Sequence, residues 1–430
     1  MIVMAVSFMQ SASANRDHAV VDRRWEALSF TGGIAFLTGF AVFASGFKNL
    51  RPQIGGLYLH PCLVLLLVAA PFVIYGHVER FPKRILVFLS IFTAMYCFSV
   101  FGSNVSWGEI AKTLSAALMI VITALLIRSR TDFVAGVLGY VSGIGLLAMR
   151  GLQSEEITGY GINPIDVANK NSFSIYALPA ILLAGSVLLY MRRLSWMVRA
   201  LLAIFGLVSM VSILMSGNRS GWLGVAVIGV LFINERKLAG TLLVITLSGA
   251  AAYWITNYGD TKIIEQRVKD TREGRTADNL RRELFQAAFG IALENPVLGV
   301  SPRQLPFELA RRLEGHERLN YVDPHNVFGN VAGGSGLICF AALIGTGWAM
   351  WRWPFPPNKA KQPISFGYRA AIRTIHSMLI LWVVRGMFTR ELLYNPGTCI
   401  GLGLAIGWCM LEESLLQKSQ LQSPLATSSR

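Results

Sequence analysis

The stretch ILVFLSIFTAMYCFSVF, Ile85 to Phe101, carries no charged residue and follows the cations Lys83 and Arg84. Its apolar residues run without the periodic polar face that a helix on a soluble core needs. A run of this kind bounded by basic residues is the pattern of a helix crossing a bilayer. The rest of the chain repeats it. Twelve such runs occur, at 28–46, 57–75, 85–101, 109–127, 132–149, 173–191, 198–216, 220–233, 238–256, 326–348, 370–388 and 396–412.

Composition agrees. Of the 430 residues, 53% are hydrophobic and 15% charged, against about 25% charged in soluble domains. The polar surface needed to solvate a globule of this size is missing. The net charge of +15 does not point to nucleic acid, because the Lys and Arg residues cluster between apolar runs and no zinc spacing or recognition helix accompanies them. Cys62, Cys97, Cys339, Cys399 and Cys409 all fall in or beside apolar runs and form no CxxC pair, so they read as small buried hydrophobes. Met1 to Ala14 ends in Ala-Ser-Ala, but its apolar stretch is short and lacks a positive start, so it reads as a cytoplasmic tail.

Basic clusters mark alternate connections: Arg16, Arg23 and Arg24; Arg80, Lys83 and Arg84; Arg128 and Arg130; Arg192, Arg193 and Arg199; Arg236 and Lys237; Arg352, Lys359, Lys361 and Arg369. The positive-inside rule places these in the cytoplasm. The expected architecture is an all-α polytopic membrane protein of about twelve transmembrane helices with both termini cytoplasmic. Its segments are a tail over 1–27, nine helices over 28–256, a large periplasmic loop over 257–324 between the ninth and tenth helices, three helices over 325–412, and a second tail over 413–430.

The large loop balances eleven Lys/Arg against eleven Asp/Glu. Within it, DNLRRELFQAAFGIALE, Asp278 to Glu294, spaces Leu284, Phe285, Ala288, Phe289 and Leu293 at helical intervals, with Asp278 as N-cap and Asn295-Pro296 as the stop. A charge-rich loop with its own amphipathic helix predicts a folded lid.

Asp323-Pro324-His325-Asn326 stands where this loop re-enters the membrane, and Gly333, Gly334 and Gly336 follow. A histidine at such a junction is either a satisfied interfacial residue or a general base working near neutral pH. Arg219, in Ser216-Gly217-Asn218-Arg219-Ser220-Gly221, lies on the outer side against the charge trend. It is either a snorkelling anchor or, among small neighbours, a guanidinium open to a bulky anion. Arg281 and Arg282 open the loop helix, where a cation gains nothing from the macrodipole. They pair with Glu283 or Asp278, or join Arg219 in a cluster suited to a diphosphate. No Asp-x-Asp pair stands out in the outer loops, so a divalent cation lacks its usual carboxylate ligands, and no cofactor is indicated.

These patches together resemble the bacterial O-antigen ligase and O-antigen polymerase superfamily: an arginine in GNRSG, an Arg-led loop helix ending in NPVLGV, then His-Asn followed by glycines. The ligase pattern is His, then Asn, Ser or Gln, nine residues, Gly, two residues, and Gly, Thr or Tyr. His325, Asn326 and Gly336 fit it and Cys339 departs from it; Phe285 stands where the family usually has Trp; Asn171, ahead of Tyr176 to Pro179, resembles the family asparagine before an Ala/Leu-Pro helix. The resemblance implies an inverting, metal-independent glycosyltransferase in the bacterial inner membrane, its active site facing the periplasm. It would move a glycan from undecaprenyl diphosphate to a lipid A–core oligosaccharide, or, in a polymerase, to another lipid-linked repeat. His325 would be the base, Arg219, Arg281 and Arg282 would hold the diphosphate, and Asn326, Asn171 and Asp323 would support them. A transporter or flippase is the reading from another class. Against it, the midpoint connection Met191 to Met197 is short and the long loop lies outside.

Overall fold

A computed structural model describes residues 29–45, 53–54, 57–58, 60–74, 78–101, 107–153, 157–158, 161–162, 170–191, 193–216, 218–235, 277–313, 322, 324–354 and 365–427, with scattered positions between 241 and 249. Fourteen α-helices account for nearly all of this: α1 (Phe30–Phe40), α2 (Val42–Ser45), α3 (Pro61–Ile74), α4 (Lys83–Phe101), α5 (Trp107–Leu126), α6 (Arg130–Gln153), α7 (Lys170–Tyr190), α8 (Trp196–Met215), α9 (Arg219–Glu235), α10 (Ala277–Glu294), α11 (Leu305–Arg312), α12 (Val327–Arg352), α13 (Phe366–Gly386) and α14 (Pro396–Thr427). Two small hairpins interrupt them: β1 (Gln53–Ile54) with β2 (Leu57–Tyr58), and β3 (Ile157–Thr158) with β4 (Gly161–Ile162), both antiparallel.

The protein is a multi-pass membrane protein, but the expected dozen spans is too many. Among the described residues seven helices are long and apolar enough to cross a bilayer: α4, α5, α6, α7, α8, α12 and α14. The reason lies in length and charge. The runs expected at 28–46, 57–75 and 220–233 become apolar helices of 10–17 residues, short of the roughly 20 that a perpendicular span needs; the first is interrupted by a turn at Ala41 and the second contains Pro71. The run at 370–388 becomes α13, which carries Arg369, Arg373 and Arg385. The run at 238–256 falls largely outside the described residues, as do 1–28, so the placement of the termini and the numbering of the large loop between a ninth and a tenth span have no support.

Glycine sets the closest approach between helices. A Cβ at Gly139 on α6 would lie 2.1 Å from the Phe36 carbonyl oxygen of α1, and one at Gly39 on α1 would lie 2.5 Å from the Gly136 carbonyl oxygen. Small residues let two backbones meet where lipid supplies no hydrophobic drive between helices. At the start of α6, Arg130 grips the buried Glu412 of α14 through two hydrogen bonds, 2.6 and 2.9 Å long. Beside it Asp132, 1% exposed, accepts from the Arg128 and Ser129 amides at 3.1 and 3.0 Å, at the N-terminus of α6. There the helix dipole favours a negative charge. The cysteines sit as the sequence implies: four are buried and Cys97 is half-buried.

Helix α12 is broken. Gly336 has φ 83° and ψ 171°, a conformation that only glycine adopts without strain. The break frees backbone groups, and the turn after α10 takes them up. The Leu337 amide donates to the Pro296 carbonyl at 2.7 Å, and the Val300 amide donates to the Gly333 carbonyl at 3.0 Å. The contact is backbone to backbone: a Cβ at Gly336 would lie 2.5 Å from the Val297 carbonyl oxygen, and one at Gly299, itself at φ 65°, would lie 2.5 Å from the Gly334 carbonyl carbon.

Gly336→Ala is therefore expected to cost about 1–3 kcal/mol from backbone strain alone, lowering the thermal unfolding midpoint of the purified protein. Gly347→Ala, on the same helix with open space around its Cβ, is the matched control and should leave the midpoint unchanged or slightly raised. Equal midpoints for the two variants would show that the break at Gly336 does not exist.

Candidate functional site

The loop helix forms where its periodicity predicts, from Ala277 to Glu294, so Asp278 lies in its first turn instead of capping it. Leu284, Ala288 and Ile291 are buried and pack with Leu305 and Leu309 of α11 into a small core of their own. Arg312 of α11 donates to Glu294 at 2.7 Å and holds that carboxyl below the usual carboxylate range, tying the two helix ends together. Residues 277–313 thus fold as a unit with a small core of their own.

Helix α10 lies on α12 with both chains running the same way. Phe285 and Ala288 meet Gly329, the Ala288 carbonyl faces Gly333, and the Phe289 ring meets Phe340 at 5.5 Å. Glycine at 333 is the condition for it, since a Cβ there would come within 2.8 Å of the Ala288 oxygen. Arg281 precedes Phe285 by one helical turn, about 6 Å of rise. The parallel packing thus carries Arg281 to the axial level where α12 begins. Arg281 is half-buried and Arg282 exposed.

His325 is exposed, immediately before α12, with φ 48° in the left-handed region. Its neighbours fix it there. Pro324 is buried, and Asn326 caps α12 by accepting from the Phe328 and Gly329 amides at 2.8 and 3.1 Å. The Asn326 amide also reaches the Met387 carbonyl, at 3.4 Å, just past α13. Asn326 therefore starts the helix and fixes the turn that follows the histidine.

The end of α13 reaches the other arginine as well. Arg385, 1% exposed, donates to the Ser220 and Ser174 hydroxyls, the latter at 2.8 Å. Asn218 donates to the same Ser174 hydroxyl at 2.8 Å, and its oxygen accepts from the Ser220 hydroxyl at 2.7 Å and the Ser220 amide at 3.1 Å. The four side chains close a ring at the turn that begins α9, whose first residue is Arg219. Asn171 stands in the first turn of α7, one turn before Ser174. The side chains of Arg219 and Asn171, and Asp323 altogether, lie outside the described residues.

One end of the bundle thus gathers the starts of α7, α9, α10 and α12 at the end of α13. The sequence reading missed Arg385, Ser174 and Asn218. A cation in the apolar run WVVRG, Trp382 to Gly386, was the available signal, since intramembrane charge marks function or a specific partner. Among the described residues no three His, Cys, Asp or Glu side chains converge into a metal-holding group.

Residues 202–344 match the O-antigen ligase family model, and the match supports placing the chain in the O-antigen ligase and polymerase superfamily. The matched stretch runs from α8 to α12 and contains Arg219, Arg281, Arg282, His325 and Asn326; Arg385 lies beyond it. No curated protein matches the chain.

Asn326→Ala is expected to lower stability by about 1 kcal/mol, the usual loss for an N-cap. Asn326→Asp, which keeps the accepting oxygen, should retain most of it in the same thermal unfolding measurement. Full stability of Asn326→Ala would show that the asparagine does not cap α12.

Proposed function

We propose that the protein is an O-antigen ligase-like glycosyltransferase of the bacterial inner membrane, working on the periplasmic face. The donor is a glycan on undecaprenyl diphosphate, and the acceptor is a hydroxyl of a lipid A–core oligosaccharide. The observation that carries this reading is the parallel packing of α10 on α12, held by the turn at 296–300, which brings the Arg281 helix to the level of His325.

His325 takes the proton from the acceptor hydroxyl as its oxygen attacks the anomeric carbon. The bond from that carbon to the diphosphate oxygen breaks, and undecaprenyl diphosphate leaves with the electron pair. Displacement from the opposite face inverts the anomeric configuration and needs no covalent intermediate. The leaving group gathers negative charge, so the guanidiniums of Arg219, Arg281 and Arg282 contribute most by holding it, since fixed charges aimed at developing charge usually form the largest catalytic term. Guanidinium suits this task because two parallel N–H groups match two phosphate oxygens. Asn326 fixes the histidine's approach, and Asn171 and Asp323 support the site from α7 and the end of the loop. No metal or cofactor is assigned to the chemistry. A polymerase would use the same residues with a second lipid-linked repeat as acceptor.

His325→Ala should lower transfer by about 10²–10⁴-fold, the usual contribution of a general base, while the protein keeps its abundance and unfolding midpoint. A well-folded His325→Ala protein with full transfer would remove His325 from the mechanism.

Arg219→Lys should be badly impaired, because an ammonium cannot reproduce the two-point grip. Wild-type turnover would make Arg219 a membrane anchor. A chelator should leave purified activity intact, and loss of activity restored by added Mg²⁺ would overturn the metal-free mechanism.

A further inference from the structure

At the end of the bundle opposite to Asn326, a cavity of about 770 Å³ opens between α4, α5, α12 and α14. The cations in its wall are Arg80, Lys83, Arg84, Arg128, Arg352 and Lys418. Four of them mark the ends of membrane-crossing helices. Lys83 is the first residue of α4, Arg128 follows the last residue of α5 by two positions, and Arg352 is the last residue of α12. Lys418 closes the apolar part of α14. The cavity therefore lies at the depth where a bilayer passes from hydrocarbon to headgroup. Phe81, Leu125, Ile127 and Leu411 give part of its wall an apolar surface.

Among the described residues the side chains of Arg80, Lys83, Arg84 and Lys418 form no hydrogen bond or ion pair, even with Glu79 and Glu413 of the same wall. Arg128 is anchored: its Nη2 donates to the Phe72 carbonyl at 3.1 Å, which holds one guanidinium at the cavity. The Arg352 guanidinium lies 5.7 Å from the ring centroid of Trp348, an exposed aromatic of the kind that collects at the membrane interface.

Two apolar stripes lead to this cavity. On α4, Ile91, Val87 and Lys83 stand at four-residue intervals and are all exposed. On α12, Ile344, Trp348 and Arg352 repeat the arrangement beyond the break at Gly336. Side chains four apart share a helix face, so each stripe runs from lipid-facing apolar residues to a cation in the cavity wall. The two helices pack directly, Gly345 of α12 against the Phe88 ring of α4. A phospholipid has the same order of parts, acyl chains and then a phosphate. Basic pockets between helices at a membrane surface suit anionic headgroups. A zwitterionic headgroup fits less well, because its own ammonium would face these cations.

We infer that this cavity binds the headgroup of an anionic phospholipid in the leaflet opposite to the candidate site. The phosphate sits among Lys83, Arg128 and Arg352, and the chains lie along the stripes of α4 and α12. The inference stands apart from glycan transfer, since it needs neither donor nor acceptor.

The test is native mass spectrometry of the purified full chain, titrated with dioleoylphosphatidylglycerol or dioleoylphosphatidylcholine, with soluble glycerol 3-phosphate as competitor. Phosphatidylglycerol should bind roughly fivefold or more tightly than phosphatidylcholine, the factor that one basic residue contributes at an anionic surface. Lys83→Gln and Arg352→Gln should each weaken phosphatidylglycerol by roughly that factor. Lys112→Gln, which removes a cation near the other end of α5, should leave it unchanged. All three positions are exposed, so the substitutions test charge and not folding. Equal affinity for the two lipids, wild-type binding by either Lys83→Gln or Arg352→Gln, or an equal loss in Lys112→Gln would overturn the assignment. Displacement of the lipid by glycerol 3-phosphate would overturn it as well, as the mark of a soluble phosphate ligand.

Discussion

The structure turns on the break in α12 at Gly336 and the turn that occupies it. A continuous helix satisfies its own backbone, so nothing could dock there through main-chain hydrogen bonds. Breaking it releases the Leu337 amide and the Gly333 carbonyl, which bond to Pro296 and Val300. Two reciprocal backbone bonds fix a position to within the tolerance of a hydrogen bond. Glycine at 299, 333, 334 and 336 is the condition for this, because a Cβ at any of them would fall within 2.9 Å of facing atoms. Through this joint the loop helix becomes a rigid part of the bundle, and its arginines acquire a fixed relation to the start of α12.

The second constraint is the buried cation at the end of α13. A charge removed from water is costly unless hydrogen bonds replace its hydration, and the Ser174 and Ser220 hydroxyls supply two of them. Because those serines sit on α7 and α9 and share Asn218, satisfying Arg385 also fixes the turn that begins α9 at Arg219. Two residues further on, the Met387 carbonyl meets Asn326. One helix end therefore places two segments that are far apart in sequence.

Much of this was legible in the residues, and the losses have definite causes. The uncharged run Ile85 to Phe101 became a helix within two residues of its expected start, because a run of that kind has one stable backbone solution in lipid; the last run, expected at 396–412, continues as helix to Thr427, past the apolar stretch that marked it. The loop helix was placed to within a residue by its spacing and its Asn295-Pro296 stop. The count of spans failed where a run was apolar but short, as at Pro61–Ile74, or carried arginines, as in Phe366–Gly386: hydropathy alone does not measure helix length. His325 and Asn326 stand out by their junction, yet the cap that Asn326 makes and the break at Gly336 depend on what docks against them. Arg385 was passed over because one arginine in an apolar run looks the same whether it snorkels or is ringed by hydroxyls from other helices.

The most direct test of the account mixes the purified protein with glycan on undecaprenyl diphosphate, with and without lipid A–core oligosaccharide, and resolves the products by size. The account predicts that glycan is added to the core once per acceptor, and only when core is present. A lipid-linked ladder growing without core would contradict the ligase assignment and make the protein a polymerase. Absence of both products beside active controls would contradict glycan transfer altogether.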